Sequence, residues 1–276
     1  MHLGITAFLT DRSMAPADLA VAVEERGFHS LYLPEHTHLP LRADTPPAIV
    51  DGVVADDYRR SLDPFVALAT AAAVTRTLKV GTGVCLVAQR DPLILAKEVA
   101  TLDRLAQGRF LFGVGAGWNR EEMANHGTDP RTRWDLLAER VAALRVLWAD
   151  EEAEFHGRFV DFDPVWSWPK PEQRPGPPVL LGGAGARALA AVVAYADEWS
   201  PIYGRPEDFP SAVAELARAA EAAGRPPFPI TVFQAPSDPA GLEQLAGLGV
   251  HRAVFTLPSA PLDRIGALAP ALGRTP

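Results

Sequence analysis

Cysteine is almost missing from this sequence of 276 residues: Cys85 stands alone. A single cysteine excludes an internal disulfide framework and suits a reducing cytoplasm. It sits in the apolar run LKVGTGVCLV (78–87), which reads as the setting of a small buried hydrophobe rather than of a nucleophile. Long hydrophobic runs are absent too. Nothing approaches the roughly 20 apolar residues of a membrane span, so a membrane is not expected as a partner. The start, MHLGITAFLTDR, lacks both the basic opening and the apolar length of a signal peptide. There is no long basic run and the net charge is −8, which argues against nucleic acid as a partner. No Ser–His–Asp or Cys–His arrangement can be picked out. These absences leave a cytoplasmic protein acting on a small molecule.

What is present is an apolar fraction of 48%, enough for a packed core, and a regular rhythm of strand and helix signals. His2–Phe8 reads as strand 1, Pro16–Arg26 as helix 1 and Ser30–Pro34 as strand 2. Residues 35–62 then break the rhythm: they are Pro-rich, polar and too long for an ordinary loop. Asp63-Pro64 starts helix 2, which runs through Val74. Leu78–Val84 is strand 3. Asp91-Pro92 opens helix 3, with Ile94, Leu95, Val99, Leu102 and Leu105 as its apolar stripe. Gln107-Gly108 ends that helix, and Arg109–Val114 is strand 4. Arg131–Trp148 is a long amphipathic helix with Trp134, Leu137, Val141, Leu144 and Trp148 at three- and four-residue steps.

A second irregular insertion covers 150–177, with a small hairpin at 154–162 and an extended Pro-rich linker at 169–178. The last units are strand 5 at Val179–Gly183, helix 5 at Ala186–Tyr195, strand 6 at Glu198–Tyr203 and helix 6 at Pro206–Ala223. Strand 7 at Pro229–Ala235, helix 7 at Pro239–Leu248, strand 8 at Arg252–Leu257 and helix 8 at Pro261–Leu272 complete the chain. Alternation of this kind predicts a parallel sheet covered by helices. Eight units predict closure into a (β/α)8 TIM barrel, an α/β fold, as one domain over 1–276 with insertions after strand 2 and before strand 5. A doubly wound open sheet is the alternative. The barrel makes a demand that can be checked: functional residues should gather at strand C-termini.

Several strand ends carry chemistry. Strands 3 and 4 end in glycines on the same side of one βαβ unit, Gly81 and Gly83 before Val84, then Gly115-Ala116-Gly117. Glycine there lets backbone approach a flat or phosphorylated ligand; the plain alternative is tight turns. Gly182-Gly183-Ala184-Gly185 lies between strand 5 and a helix. Free N–H groups and a helix N-terminus make it a candidate phosphate cradle, against a simple turn. It also fits G-x-G-x-x-A formally, but the next strand ends in Pro201-Ile202-Tyr203 and offers no acidic residue for a ribose. Glu35-His36-Thr37-His38 follows strand 2. His-x-His there suggests a metal, yet the later strand ends supply no further ligands, so no metal is expected. Trp166, Trp168 and the Pro run read as packing, with a substrate wall as the alternative.

GTGV (81–84), RDPLILAKEVATLDRLAQGRF (90–110) and GVGAGW (113–118) resemble the bacterial-luciferase-like family of flavin and deazaflavin enzymes. The resemblance extends over most of the chain and is weakest after about Pro206. Its nearest subgroup uses coenzyme F420, a deazaflavin, rather than FMN. It implies an oxidoreductase transferring a hydride to or from a small organic substrate. The alternatives are an FMN-dependent monooxygenase and a non-catalytic cofactor-binding relative. It implies that Glu35 and His36 match the family's acidic–His pair, with Glu for the commoner Asp and the His near the reactive ring carbon. A histidine suits that place because imidazole exchanges protons near neutral pH. It implies that Gly83, Val84, Ala116 and Gly117 lie against the cofactor, with a cis peptide at Gly83–Val84 making a bulge behind the ring. It places the phosphate at Gly182, Gly183, Ala184 and Gly185, with Arg187 near the anionic tail. It also implies a homodimer.

Overall fold

Three helices begin alike, with aspartate followed by proline. In the computed structural model of the protein, which describes residues 1–41, 49–50, 53–54 and 56–257, Asp63 accepts from the Val66 N–H. Asp91 accepts from those of Leu93 and Ile94, and Asp238 from that of Gly241. Each carboxylate satisfies N–H groups that a first turn leaves open, and the proline after it has none to satisfy.

The elements run β1 (His2–Ala7), α1 (Pro16–Glu25), β2 (Ser30–Leu33), the short pair β3 (Ile49–Val50) and β4 (Val53–Val54), α2 (Asp56–Arg60), α3 (Pro64–Val74) and β5 (Lys79–Thr82). After a 3-10 turn at Val87–Gln89 come α4 (Pro92–Leu105), β6 (Phe110–Val114), α5 (Arg120–Asn125) and α6 (Arg133–Ala149). The hairpin β7 (Ala153–His156) and β8 (Asp161–Val165) follows. The chain continues with β9 (Val179–Gly182), α7 (Ala186–Tyr195), β10 (Glu198–Ser200), α8 (Phe209–Ala222), β11 (Thr231–Phe233), α9 (Pro239–Gly247) and β12 (Arg252–Leu257). Helix 8 of the sequence reading, 261–272, lies outside the described residues, as does part of the 35–62 insertion.

Eight strands form one parallel sheet in the order β10-β9-β6-β5-β2-β1-β12-β11. Its two ends meet. Parallel bridges join Trp199 to Ile230 and Ile202 to Phe233, and the Tyr203 N–H donates to the Phe233 carbonyl at 2.8 Å. The sheet is therefore a barrel, and the open doubly wound alternative falls. The strands came out shorter than the apolar runs suggested: β10 stops at Ser200 rather than Tyr203, and β5 covers four residues. Apolar character continues into the strand-end loops because those loops line a cavity.

The two-residue period divides the strands cleanly. Leu3, Ile5, Ala7, Leu31, Phe110 and Phe112 pack outward against the helices. Tyr32, Leu111, Leu180, Phe233 and Val254 form a separate core inside the barrel. Tyr32 is large, and a Cβ on Gly81 would come within 2.7 Å of its ring. Gly81 thus makes room for Tyr32, a packing role rather than the ligand approach its position suggested. Below this core a buried ionic cluster closes the barrel floor: Arg252 donates to Glu198 at 3.0 Å and to Thr231 at 2.5 Å. Among the described residues no helix is long and apolar enough to cross a membrane.

Candidate active site

The C-terminal ends of all eight barrel strands surround a cavity of about 300 Å³. Thr6–Phe8 contribute at the end of β1, Glu35 and His36 after β2, and Gly83, Val84 and Leu86 after β5. Gly115–Trp118 contribute after β6, Gly182 and Gly183 after β9, Ser200 and Ile202 after β10, Phe233 and Gln234 after β11, and Thr256 on β12. Tyr58 of α2 and Trp134 of α6 add side walls. This is where a TIM barrel places its chemistry.

Among the described residues His36 is the one histidine on this wall. Its Nδ1 lies 2.8 Å from Oε2 of Glu122, a fully buried carboxylate. The other oxygen, Oε1, accepts from the Thr37 N–H at 3.2 Å. An ionised carboxylate only accepts, so Nδ1 carries the proton and Nε2 remains for the cavity. Aromatic rings flank the imidazole, Tyr58 at 5.1 Å and Trp118 at 5.5 Å between centroids. Burial raises the Tyr58 hydroxyl above its ordinary value, so it stays neutral. Glu122 was not singled out from sequence. Asn119-x-x-Glu122 is a capping pattern: Asn119 caps α5 by accepting from the Glu122 N–H at 2.9 Å. The glutamate side chain, instead of returning to that cap, reaches His36.

Glu35 occupies the cavity wall, but its carboxylate is committed. Oε2 accepts from the Leu86 N–H at 2.7 Å and Oε1 from Arg90 Nε at 2.6 Å. Arg90 also pairs with Asp63 and Glu98. Glu35 thus ties the end of β2 to the loop after β5. It makes no bond to His36.

The Gly83–Val84 peptide bond is cis. Val84 then leans over the strand ends: a Cβ on Gly115 would lie 2.6 Å from its Cγ2, and one on Gly182 3.1 Å from its Cγ1. These two glycines accommodate Val84, and Val84 faces the cavity. Ser200 adds a polar group. Its residue is 2% exposed, its Oγ has no hydrogen-bond partner, and it lines the same space. A buried hydroxyl without a partner is unusual and points to a polar ligand atom. Gly183 (φ 125°) and Gly185 (φ 81°) turn the chain into α7, where first-turn N–H groups face outward for an anion. Ala184, Gly185 and Arg187 sit outside the cavity lining, on the exposed start of that helix. Arg187 pairs with Asp135 at 3.0 Å.

The sequence profile of the luciferase-like monooxygenase family matches residues 14–237. The chain belongs to the luciferase-like monooxygenase family. An uncharacterized member from Mycobacterium tuberculosis is 41% identical over 271 residues, covering 97% of this chain and 95% of the relative. The F420-dependent hydroxymycolic acid dehydrogenase of the same organism is 29% identical over 223 residues, covering 80% of this chain and 56% of the relative. Among solved structures, an F420-dependent secondary alcohol dehydrogenase bound to an F420–acetone adduct superposes with a TM-score of 0.78 at 19% identity, covering 99% of both chains. A Pseudomonas putida 3,6-diketocamphane monooxygenase component with FMN superposes at 0.68 and 17% identity, covering 84% of this chain and 66% of that one. These two structural likenesses concern the fold.

In this luciferase-like barrel the remaining sequence candidates divide clearly. Among the described residues no group of histidine, cysteine and carboxylate side chains is arranged to hold a metal. His38 instead meets Thr37 and Asn125, beside the ring of His126. Cys85 is fully buried, and burial, then the neighbouring Glu35 charge, pushes its thiol well above the ordinary value. It is an inert packing residue. Trp166 and Trp168 are not packed, as expected from sequence, but 76% and 50% exposed. They follow the β7–β8 hairpin, whose second strand ends at Val165.

Proposed function

We propose that the protein is an oxidoreductase that uses coenzyme F420, and that His36 is its proton-transferring residue. The observation carrying this reading is the His36–Glu122 pair, one ring nitrogen fixed and the other left to a cavity backed by Val84. The names of F420-dependent relatives support the choice of cofactor. The residues present fit such a group. The unpartnered Ser200 Oγ can meet a polar edge of the ring, Val84 can back one face, and the Gly182–Gly185 turn with the α7 N-terminus can take the phosphate. Ala116 and Gly117 would border the ring, and Arg187, on the first turn of α7, would meet an anionic tail. When bound, the deazaflavin supplies or accepts a hydride.

The chain's own part is to hold and move a proton. Nε2 of His36 accepts the proton of a substrate hydroxyl, or returns one to a carbonyl oxygen, while Glu122 keeps Nδ1 protonated and steadies the imidazolium that forms. Tyr58, Trp118 and Trp134 exclude water from this exchange. Glu35 acts by holding the β2 and β5 loops together.

Titration of the purified protein with F420 and with FMN, read by cofactor fluorescence, tests the reading. Tighter binding of F420 is expected. Micromolar FMN binding without deazaflavin binding, or oxygen consumption with reduced FMN, would overturn it in favour of the flavin monooxygenase alternative.

A further inference from the structure

We infer that the space beside His36 takes an uncharged ligand, an alcohol or carbonyl oxygen on an apolar body, and rejects phosphorylated or carboxylated molecules. This rests on the reading of the same site as a deazaflavin oxidoreductase.

Charge decides the point. Among the described residues no lysine or arginine lines the cavity. Arg90 is bound to Glu35 and consumed by three carboxylates, at 2.6 Å, 2.8 Å and 2.9 Å. Arg60 at the end of α2 is held by Asp56 and Asp11, and Arg12 by Asp56. The group directly behind the imidazole is Glu122, which is wholly buried. An anion brought to His36 would therefore give up its hydration for aromatic rings and a nearby negative charge. Removing a charge from water without a partner costs far more than removing a hydroxyl that finds one. The anion-seeking feature of this barrel end, the α7 N-terminus, is already given to the cofactor phosphate.

Shape and surface agree. Tyr58 and Trp118 flank the imidazole, Phe8 meets Tyr58 in a tilted contact with ring centroids 4.5 Å apart, and Trp118 remains 36% exposed at the opening. These rings offer apolar area to a ligand body. A single neutral oxygen matches Nε2 of His36, the one ring nitrogen not already engaged by Glu122.

Tryptophan fluorescence of the deazaflavin-loaded protein tests this without relying on turnover. Cyclohexanol, cyclohexanone and glucose 6-phosphate are the probes. The two uncharged probes should quench saturably, with an apparent Kd at least about tenfold below that of the sugar phosphate. The signal should be lost in the double variant Trp118→Phe, Trp134→Phe. Saturable binding of glucose 6-phosphate at equal or lower concentration would overturn the inference. So would quenching that persists when Trp118 and Trp134, both on the cavity wall, are replaced together by phenylalanine, since the ligand would then sit elsewhere. If the protein binds deazaflavin and neither uncharged probe quenches, the ligand class fails and the cofactor reading stands. If the uncharged probes quench a protein that refuses deazaflavin, the cofactor reading fails and the ligand class stands.

Discussion

Glu122 determines which nitrogen of His36 is left to the cavity, and it does so with a single 2.8 Å bond. Glutamine in its place could donate or accept, so the imidazole would no longer be held in one tautomer. Glu122→Gln should lower kcat by about 10–100-fold, the scale seen when an imidazole loses its orienting carboxylate, with KM changed much less. Steady-state kinetics with F420 and a responsive alcohol would show the split, and equal loss in both constants would point to a collapsed pocket. His36→Ala should lower turnover by about 10²–10⁴-fold while the cofactor titration shifts far less. Full activity in that variant would return His36 to a structural role. Gly115→Ala tests Val84 in the same way. Its new Cβ would meet Val84 Cγ2 at 2.6 Å, so the valine must move and cofactor affinity should fall.

Elements meet through two polar knots at opposite ends of the barrel. At the C-terminal end Arg90 gathers Glu35 after β2, Asp63 at the start of α3 and Glu98 in α4. Arg90→Met would leave the buried Glu35 without its cation. Breaking one side of a buried pair costs about 3–5 kcal/mol, so a clear drop in Tm is expected, and an unchanged Tm would show that Glu35 is not dependent on it. At the N-terminal end His2 of β1 stacks on His29 at 4.0 Å and meets His251 at 5.1 Å, just before β12. His29 is lowered to about 3, first by burial and then by Arg252. His2 and His251 are lowered as well, both chiefly by burial. The ordinary histidine value in an unfolded chain is about 6.5. Between those values the unfolded chain binds a proton that the folded one refuses, so stability is full above about pH 6.5 and falls as pH drops toward 3. Melting curves from pH 7.5 to 5 should show a falling Tm, with a shallower slope in His29→Asn. A flat profile in the parent protein would sink the idea.

For the whole molecule, the barrel is closed unevenly. β1 pairs with β12 over six residues, whereas β10 and β11 are joined by two isolated bridges. Local opening follows local bonding. Amide hydrogens of Trp199, Tyr203 and Phe233 at the seam should exchange faster than those of Ile5 and Phe255 within β1 and β12. Equal protection would mean that packing, not hydrogen bonding, governs opening at the seam.

The sequence by itself determined the β/α alternation, the eight strand positions and the Asp-Pro helix starts. These are local: side-chain periodicity, caps and glycine stops act within a few residues of one another. It also located the strand-end loops that carry His36, Val84, Gly117 and Gly183, because a parallel barrel can use only one end of its strands for chemistry. Tertiary structure decided how those residues are employed. Glu122 reaches His36 across 86 positions of chain, a distance over which no local pattern speaks. Glu35 was paired with His36 on the family resemblance, yet its oxygens turn to Leu86 and Arg90 on a neighbouring loop. Gly81 looked like a ligand approach and instead makes room for Tyr32, while Gly115 and Gly182 line the cavity and also make room for Val84. A missing Cβ declares that something comes close, and only the folded chain says what. Closure was decided at the same level, since the bonds that join β10 to β11 exist once both ends of the sheet have been brought round to meet.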